Sequence, residues 1–156
     1  MPKKSSAPRP SPTDQDPRGR SGKILRGGCL CGAVRYRVEG PFTDTAHCHC
    51  AMCRRASGAV AVTWFSVPLG DLVLEKGKPA IYRSSSHAER RFCGSCGTPL
   101  TFHSVHYPDQ IDVTIGSLDN PEKVRPDRHI WISAKIPWLT LDPDLPAHEE
   151  DTPKSE

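Results

Sequence analysis

The sequence predicts an all-β fold with little helix. Residues 33–38 (AVRYRV) place Val34, Tyr36 and Val38 on one face and arginines on the other, as in a strand with one buried face. Residues 59–66 (AVAVTWFS) are rich in β-branched and aromatic side chains, which favours a second strand. Glycine and proline interrupt the chain between such segments, and this pattern is typical of short strands joined by turns.

Several shorter segments are also predicted to be strands. Residues 72–74 and 80–82 flank the sequence KGKP, which predicts a hairpin with a short turn. The other predicted strands are residues 91–92, 101–102 and 111–115 and the region of Ile130 and Ile132. Residues 51–56 are predicted to be helical, for a turn or two. Together these segments predict a sandwich-like or tent-like all-β domain.

The two ends of the chain differ in composition from its middle. Residues 1–21 and 142–156 are rich in proline and polar side chains, so the sequence predicts disordered tails around one domain at residues 22–141. The net charge of +3 is mild and forms no basic stripe, so we expect no nucleic-acid partner. The sequence has no run of about 18 apolar residues, so we expect no membrane span. The composition leaves the oligomeric state open.

The chain has seven cysteines. Its N-terminal residues lack the apolar stretch of a secretory signal, so we expect a cytoplasmic location, where disulfides are rare. An odd number of cysteines would also leave one without a disulfide partner. Metal binding or catalysis therefore explains these residues better than disulfides do.

The cysteines fall into three clusters with the spacing of metal ligands. The clusters are Cys29-Leu30-Cys31-Gly32, Cys48-His49-Cys50 with Cys53, and Cys93-Gly94-Ser95-Cys96-Gly97. A C-x-x-C turn lets two sulfurs reach one ion, and glycine permits the backbone angles that such a turn needs. Zinc binds thiolates tetrahedrally at about 2.3 Å, so the clusters predict zinc.

The number of cysteines favours two zinc sites. The outer clusters would supply Cys29, Cys31, Cys93 and Cys96 to a closed structural site. The middle cluster would bind a second ion through Cys48, Cys50 and Cys53. Three protein ligands leave a fourth position open, as in catalytic zinc sites. Alternatively, His47, His49 or another histidine could close the second site, which would make it structural as well.

The motifs around the cysteines resemble the glutathione-dependent formaldehyde-activating family, which also includes the centromere protein V-type domains. The resemblance is carried by GGCLCGAV at 27–34, CHC at 48–50 with CRR at 53–55, and FC at 92–93 with TPL at 98–100. Three further segments resemble later motifs of the family: GSLD at 116–119, HIW at 129–131, and Lys135 with PW at 137–138. The resemblance spans about residues 22–141.

This resemblance implies a β-tent fold with two zinc ions per chain. It also implies carbon–sulfur lyase chemistry, in which glutathione and formaldehyde form S-(hydroxymethyl)glutathione. A thiol that coordinates zinc is deprotonated, so an open site could supply a nucleophile for an aldehyde at neutral pH. The expected function is therefore a zinc-dependent enzyme whose ligand is a small thiol such as glutathione.

Five further residues are predicted to surround the thiol. They are Arg54, Arg55, His129, Trp131 and Lys135. The two arginines follow the last cysteine of the middle cluster, where they could balance its charge or bind a ligand carboxylate. The histidine and the tryptophan are predicted to share one strand face, opposite the neighbouring isoleucines. The lysine could pair with a ligand carboxylate or lie in water.

Two other functions are compatible with cysteine clusters. In one, the zinc ions only stabilise the fold of a non-enzymatic interaction module. In the other, the chain is a zinc-ribbon nucleic-acid binder, which the lack of a basic stripe with interleaved aromatic residues disfavours. An open and labile second metal would distinguish an enzyme from an interaction module.

Overall fold

A computed structural model describes residues 24–153, and within them the regular structure is mostly β-strand. The strands are Leu25–Gly28 (β1), Arg35–Val38 (β2), Thr43–Cys48 (β3), Val62–Pro68 (β4), Leu72–Lys76 (β5), Ala80–Ser85 (β6), Ala88–Phe92 (β7), Pro99–Ser104 (β8), Gln110–Thr114 (β9) and Arg128–Ile130 (β10). One α-helix, Ala51–Ser57 (α1), and short 3-10 turns at Leu69–Asp71, Ile115–Ser117, Pro121–Lys123 and Ile132–Ala134 complete the described chain. The predicted all-β fold with little helix is confirmed. The predicted tail at residues 1–21 lies outside the described residues.

The strands form two sheets. A three-stranded sheet has the order β1-β2-β5, and a seven-stranded sheet has the order β10-β3-β4-β9-β8-β7-β6. Neighbouring strands are antiparallel except for β10, which runs parallel to β3 and brings Ile130 beside Cys48. The C-terminal end of β3 is therefore flanked by β10 on one side and by β4 on the other.

The main core consists of apolar side chains from both sheets. Val34, Tyr36 and Val38 are all buried, as the alternation in β2 and the residues before it predicts. They form one cluster with side chains of β4, β8 and β9, including the fully buried Phe65 and Val113. The buried Tyr36 hydroxyl lies 2.7 Å from the Ser117 Oγ, so the one polar atom of this side chain has a partner.

The predicted hairpin between residues 72–74 and 80–82 is wrong. β5 pairs with β2 in the small sheet, whereas β6 pairs with β7 in the large sheet. The chain crosses between the sheets at Gly77, where φ is +70° and a Cβ atom would lie 2.0 Å from the Ala33 carbonyl oxygen. Glycine and proline in this segment therefore mark a sheet crossing and not a tight turn.

The C-terminal segment is bonded to β10. The His129 N–H donates to the Pro146 carbonyl (2.8 Å), and the His148 N–H donates to the His129 carbonyl (2.9 Å). The Trp131 N–H donates to the Glu150 carbonyl (3.1 Å). These bonds correct the prediction of a disordered tail from residue 142. Among residues 24–153, no helix has the length and apolar character needed to cross a membrane.

Candidate metal centres and the adjoining cavity

Four cysteines from two distant loops meet at one point. Cys29 and Cys31 follow β1, Cys93 and Cys96 follow β7, and all four Sγ atoms lie within 4.8 Å of one another. The Cys29–Cys31 and Cys31–Cys93 sulfur separations are 3.6 and 3.7 Å. Tetrahedral ligands at the zinc–sulfur bond length would be about 3.8 Å apart. The cluster is thus close to the geometry of a four-thiolate zinc site.

Tight turns direct these four sulfurs towards each other. Gly32 and Gly97 have φ values of +74° and +78°, a backbone conformation that strongly favours glycine. The Val34 N–H donates to Cys29 Sγ (3.1 Å), which stabilises negative charge on the sulfur. The Leu30 N–H donates to Thr98 Oγ1 (3.0 Å) and links the two loops directly. The loops therefore form one structural unit.

The other three cysteines form a second cluster at the end of β3. Cys48 ends the strand, Cys50 is the N-cap of α1, and Cys53 lies in its first turn. Their Sγ atoms lie within 4.8 Å of one another, and no other potential ligand of the described chain joins this group. The Cys53 N–H donates to Cys50 Sγ (3.3 Å). A strand end followed by a helical turn is therefore enough to bring the three sulfurs together.

Contacts within the second cluster favour a thiolate. The neighbouring Cys48 and Cys53 side chains lower the pKa of Cys50 to about 2. The Cys50 and Cys53 side chains and burial raise the pKa of Cys48, because the three sulfurs compete for negative charge. A divalent ion would remove this competition for negative charge, because metal-bound cysteines are thiolates. The chemistry of the donor set therefore fits a soft divalent metal such as zinc.

A cavity of about 640 Å³ opens beside the second cluster. All three cysteines of this cluster line it. The rest of the wall is largely apolar and includes Met52, Trp64, Phe102, Ile130 and Trp131. By contrast, none of the four cysteines of the first cluster lines this cavity. A small molecule could thus reach the three-cysteine cluster from the cavity.

Arg90 is the cation in contact with the second cluster. Its two terminal nitrogens lie 3.7 and 3.8 Å from Cys53 Sγ, and its guanidinium carbon lies 4.8 Å from the centre of the Phe102 ring. Arg90 in β7 is directly opposite Phe102 in β8. The sequence does not predict this contact, because the pairing of β7 with β8 brings Arg90 to Cys53. Extending the predicted strand at residues 91–92 by one residue would have included Arg90.

The two arginines and the lysine predicted near the thiol do not line this cavity. Arg54 donates to the His49 carbonyl (3.0 Å) and to the Ala134 carbonyl, so its guanidinium is bonded to the backbone. Arg55 is exposed on α1. Lys135 donates to the carbonyls of Ile136 (3.1 Å), Pro137 (3.4 Å) and Leu139 (2.8 Å). None of these three side chains lines the cavity.

His129 belongs to a buried group of histidines. Its Nδ1 lies 2.9 Å from His49 Nε2, and its ring stacks on His47 with centroids 4.9 Å apart. Burial lowers the pKa of His129 and lowers that of His49 to about 4, so both rings are neutral near pH 7. His47 Nδ1 lies 2.9 Å from Thr63 Oγ1. None of these three histidines lines the cavity or is grouped with the three cysteines.

Trp131 lines the cavity, but it does not share a face with His129. The strand β10 ends at Ile130, and Trp131 has a φ of +58°. This left-handed conformation breaks the alternation, so Trp131 and Ile130 both pack against the three-cysteine cluster. The predicted common face of His129 and Trp131 is therefore wrong, because it assumed an unbroken strand.

The sequence matches one protein-family model over most of the described chain. The match covers residues 24–134, which include all seven cysteines, and the family is described as glutathione-dependent formaldehyde-activating enzyme. The chain belongs to this family. The suspected resemblance is thereby confirmed for the region that forms both clusters and most of the cavity.

Several other proteins are similar to this chain over varying lengths. A Halomonas elongata protein, provisionally named a glutathione-dependent formaldehyde-activating enzyme, is 27% identical over 128 residues, covering 76% of this chain and 82% of that protein. A Schizosaccharomyces pombe protein named an uncharacterized lyase is 37% identical over 76 residues, covering 49% of this chain and 55% of that protein. The crystal structure of a Rhodobacter sphaeroides protein superposes with a TM-score of 0.52 at 28% identity, covering 65% of this chain and 91% of the other.

In this member of the formaldehyde-activating family, the structure groups the cysteines as four and three. This grouping agrees with the division that the sequence predicts. Of the five residues predicted around a thiol ligand, Trp131 alone is among the described side chains that line the cavity. The metal-ligand roles of the cysteines and the thiol-binding role of Trp131 stay predictions.

Proposed function

We propose that the chain is a zinc-dependent carbon–sulfur lyase that acts on the adduct of a thiol with an aldehyde. The family description names glutathione and formaldehyde, so S-(hydroxymethyl)glutathione is the first adduct to test. One observation carries the proposal: the three-cysteine cluster forms part of the wall of a cavity large enough for a small molecule. Proteins keep an open coordination position where a metal ion does chemistry.

The two clusters would have different roles. Cys29, Cys31, Cys93 and Cys96 would bind a structural zinc that joins the loops after β1 and β7. Cys48, Cys50 and Cys53 would bind the second zinc, which when present stabilises a substrate thiol as its thiolate. The cavity would position the substrate with its sulfur at this cluster and its remainder among the aromatic side chains.

The proposed reaction is a reversible addition. The thiolate sulfur forms a bond to the aldehyde carbon, and the carbonyl π electrons move to the oxygen. That oxygen takes up the proton that the thiol has released. In the reverse direction the carbon–sulfur bond breaks and the thiol and the aldehyde are regenerated. No oxidant or reductant takes part, so the proposed reaction requires no redox cofactor.

Arg90 would balance the charge of the second cluster. Three thiolates around a divalent ion leave one net negative charge, and the Arg90 guanidinium is in contact with Cys53 Sγ. The Phe102 ring beneath the guanidinium favours its position through a cation–π contact. Trp64 and Trp131 would exclude water from the reacting atoms, because both line the cavity beside the cysteines.

Exchange spectroscopy tests this function directly. The rate of exchange between free formaldehyde and its glutathione adduct is measured by NMR with catalytic amounts of zinc-loaded protein. We expect acceleration in proportion to protein concentration, its loss in Cys50→Ser, and its retention in Arg55→Gln, since Arg55 is exposed outside the cavity. Exchange no faster than in buffer, with folded and fully zinc-loaded protein, would contradict the proposed activity for this substrate.

A further inference from the structure

The cavity beside the three-cysteine cluster is built mainly from aromatic and aliphatic side chains. Trp64 in β4 and Phe102 in β8 lie on either side of β9, with ring centroids 6.3 Å apart. Trp131 and Ile130 pack against the same cluster from β10 and the residue after it. A pocket with this lining gains affinity mostly by removing apolar ligand surface from water.

The two arginines on the cavity wall are already engaged. Arg90 is in contact with Cys53 Sγ (3.7 Å) and with the Phe102 ring. Arg128 donates to Asp44 Oδ1 (3.0 Å) and to Asp127 Oδ1 (2.7 Å). The Asp44 side chain is only 5% exposed, so moving Arg128 onto a ligand would break an ion pair to a buried carboxylate. Among the described residues, no other lysine or arginine lines the cavity.

The charge of the cavity wall is unfavourable for an anion. Asp44, Asp112 and Asp151 line it together with Arg90 and Arg128, so its carboxylates outnumber its arginines. The three cysteines add further negative charge, even with a divalent ion bound. Glutathione carries one more carboxylate than ammonium group. Its body would therefore enter a region of the same sign of charge, which lowers its affinity.

We propose that the thiol of the preferred substrate has an apolar or aromatic body without net negative charge, and that glutathione binds this chain more weakly than such thiols do. This inference rests on the proposed function, because it places the substrate sulfur at the three-cysteine cluster. The aromatic wall of Trp64, Phe102 and Trp131 binds the body, and the acidic side chains select against anionic thiols.

Thiol binding to the cobalt-substituted protein tests the proposal. Sulfur-to-cobalt charge-transfer bands are titrated at pH 8 with 2-mercaptoethanol, 2-phenylethanethiol and glutathione. We expect 2-phenylethanethiol to bind at least about ten-fold more tightly than 2-mercaptoethanol, because its ring is removed from water. We expect glutathione to bind no more tightly than 2-mercaptoethanol.

A pair of tryptophan variants locates the binding of the body. Trp131→Ala should reduce the affinity for 2-phenylethanethiol about ten-fold and leave that for 2-mercaptoethanol nearly unchanged. Trp138→Ala is the matched control, because Trp138 is 71% exposed and does not line the cavity. The wild-type titrations need no variant, so they decide the matter even if Trp131→Ala fails to fold.

The possible outcomes separate the two proposals. Glutathione binding as tightly as 2-phenylethanethiol, or more tightly, would overturn the inference about the thiol body and leave the proposed lyase function standing. A spectrum unchanged by all three thiols at millimolar concentration would contradict the proposed function and the inference with it. Tighter binding of 2-phenylethanethiol with a selective loss in Trp131→Ala would support both.

Discussion

Arg90 shows how a single residue can set the charge of the candidate site. Its guanidinium lies between a sulfur of the three-cysteine cluster and the face of Phe102, so the apolar ring and the polarised sulfur fix it together. A hydrogen bond to a charged group contributes about 1.5–3 kcal/mol. This is enough to change the affinity of the cluster for a cation by about ten-fold or more.

We therefore expect Arg90→Ala to lower the zinc affinity of the three-cysteine cluster about ten-fold. The physical reason is that the thiolate charge loses its nearest compensating cation, which raises the free energy of the metal-bound cluster. Competition with a chromophoric chelator measures the affinity of the weaker site. Arg91→Ala is the matched control, since Arg91 pairs with Glu89, two residues earlier in β7 (2.8 Å). Equal zinc affinities of wild type and Arg90→Ala would exclude this role of Arg90.

The residues of the candidate site differ in how far the sequence predicts them. The spatial grouping of the cysteines as four and three agrees with the division predicted from their number and from the ligand spacing within each turn. Arg90 is 37 residues from Cys53 and reaches it only through the pairing of β7 with β8, which no local pattern specifies. Trp131 is predicted to lie beside the thiol, but the positive φ that directs it into the cavity wall is not visible in an alternating pattern.

At the scale of secondary-structure elements, β10 depends on the segment that follows it. Backbone N–H groups of His129, Trp131, Ile132 and Ser133 donate to carbonyls between residues 146 and 150. Arg128 also donates to Thr152 Oγ1 (3.0 Å). The parallel strand β10 in turn packs Ile130 against the three-cysteine cluster. The C-terminal segment is therefore a support for one wall of the cavity.

A chain shortened after residue 141 should be less stable and should bind thiols more weakly. Partly buried backbone donors without partners cost about 1–3 kcal/mol each, so we expect the thermal midpoint to fall by about 10 °C. Thermal unfolding followed by circular dichroism gives the midpoint. A chain shortened after residue 153 serves as the control. The same midpoint for both shortened chains would show that the bonds between β10 and the C-terminal segment do not matter for stability.

The strands with an alternating pattern were predictable from the sequence, but their pairing was not. The burial of Tyr36 and Val38 in β2 follows from local alternation. The strands that β5 and β6 pair with depend instead on which sheet edges are available, and this is set by the whole fold. Residues 146–150 bond to β10 and the residues after it through their backbone, so they need no periodic pattern of apolar side chains. Their composition therefore resembles that of a disordered tail.

At the scale of the whole molecule, the two clusters differ in what they connect. The four-cysteine cluster joins loops that are more than 60 residues apart, and Cys29 and Cys93 belong to the main core. The three-cysteine cluster lies within one short segment and belongs to a smaller apolar cluster beside the cavity. Metal at the first cluster should therefore contribute more to the stability of the fold than metal at the second.

We expect Cys29→Ser to reduce stability much more than Cys50→Ser does. Structural zinc contributes about 10 kcal/mol or more to small zinc domains, and Cys29→Ser weakens that contribution. Soluble yield and thermal midpoint of the two variants provide the comparison. Ser95→Ala is a control within the turn from Cys93 to Cys96, since Ser95 is exposed and is not among the grouped cysteines. Equal losses for both cysteine variants would indicate that both metal ions are structural.

The proposed function depends most on an open coordination position at the three-cysteine cluster. The most direct measurement is diffraction above and below the zinc absorption edge from crystals grown with zinc and 2-mercaptoethanol. We predict two anomalous peaks per chain, one among Cys29, Cys31, Cys93 and Cys96 and one among Cys48, Cys50 and Cys53 with a mercaptoethanol sulfur as its fourth ligand. A single peak, or a second zinc closed by a protein side chain such as a histidine, would contradict it.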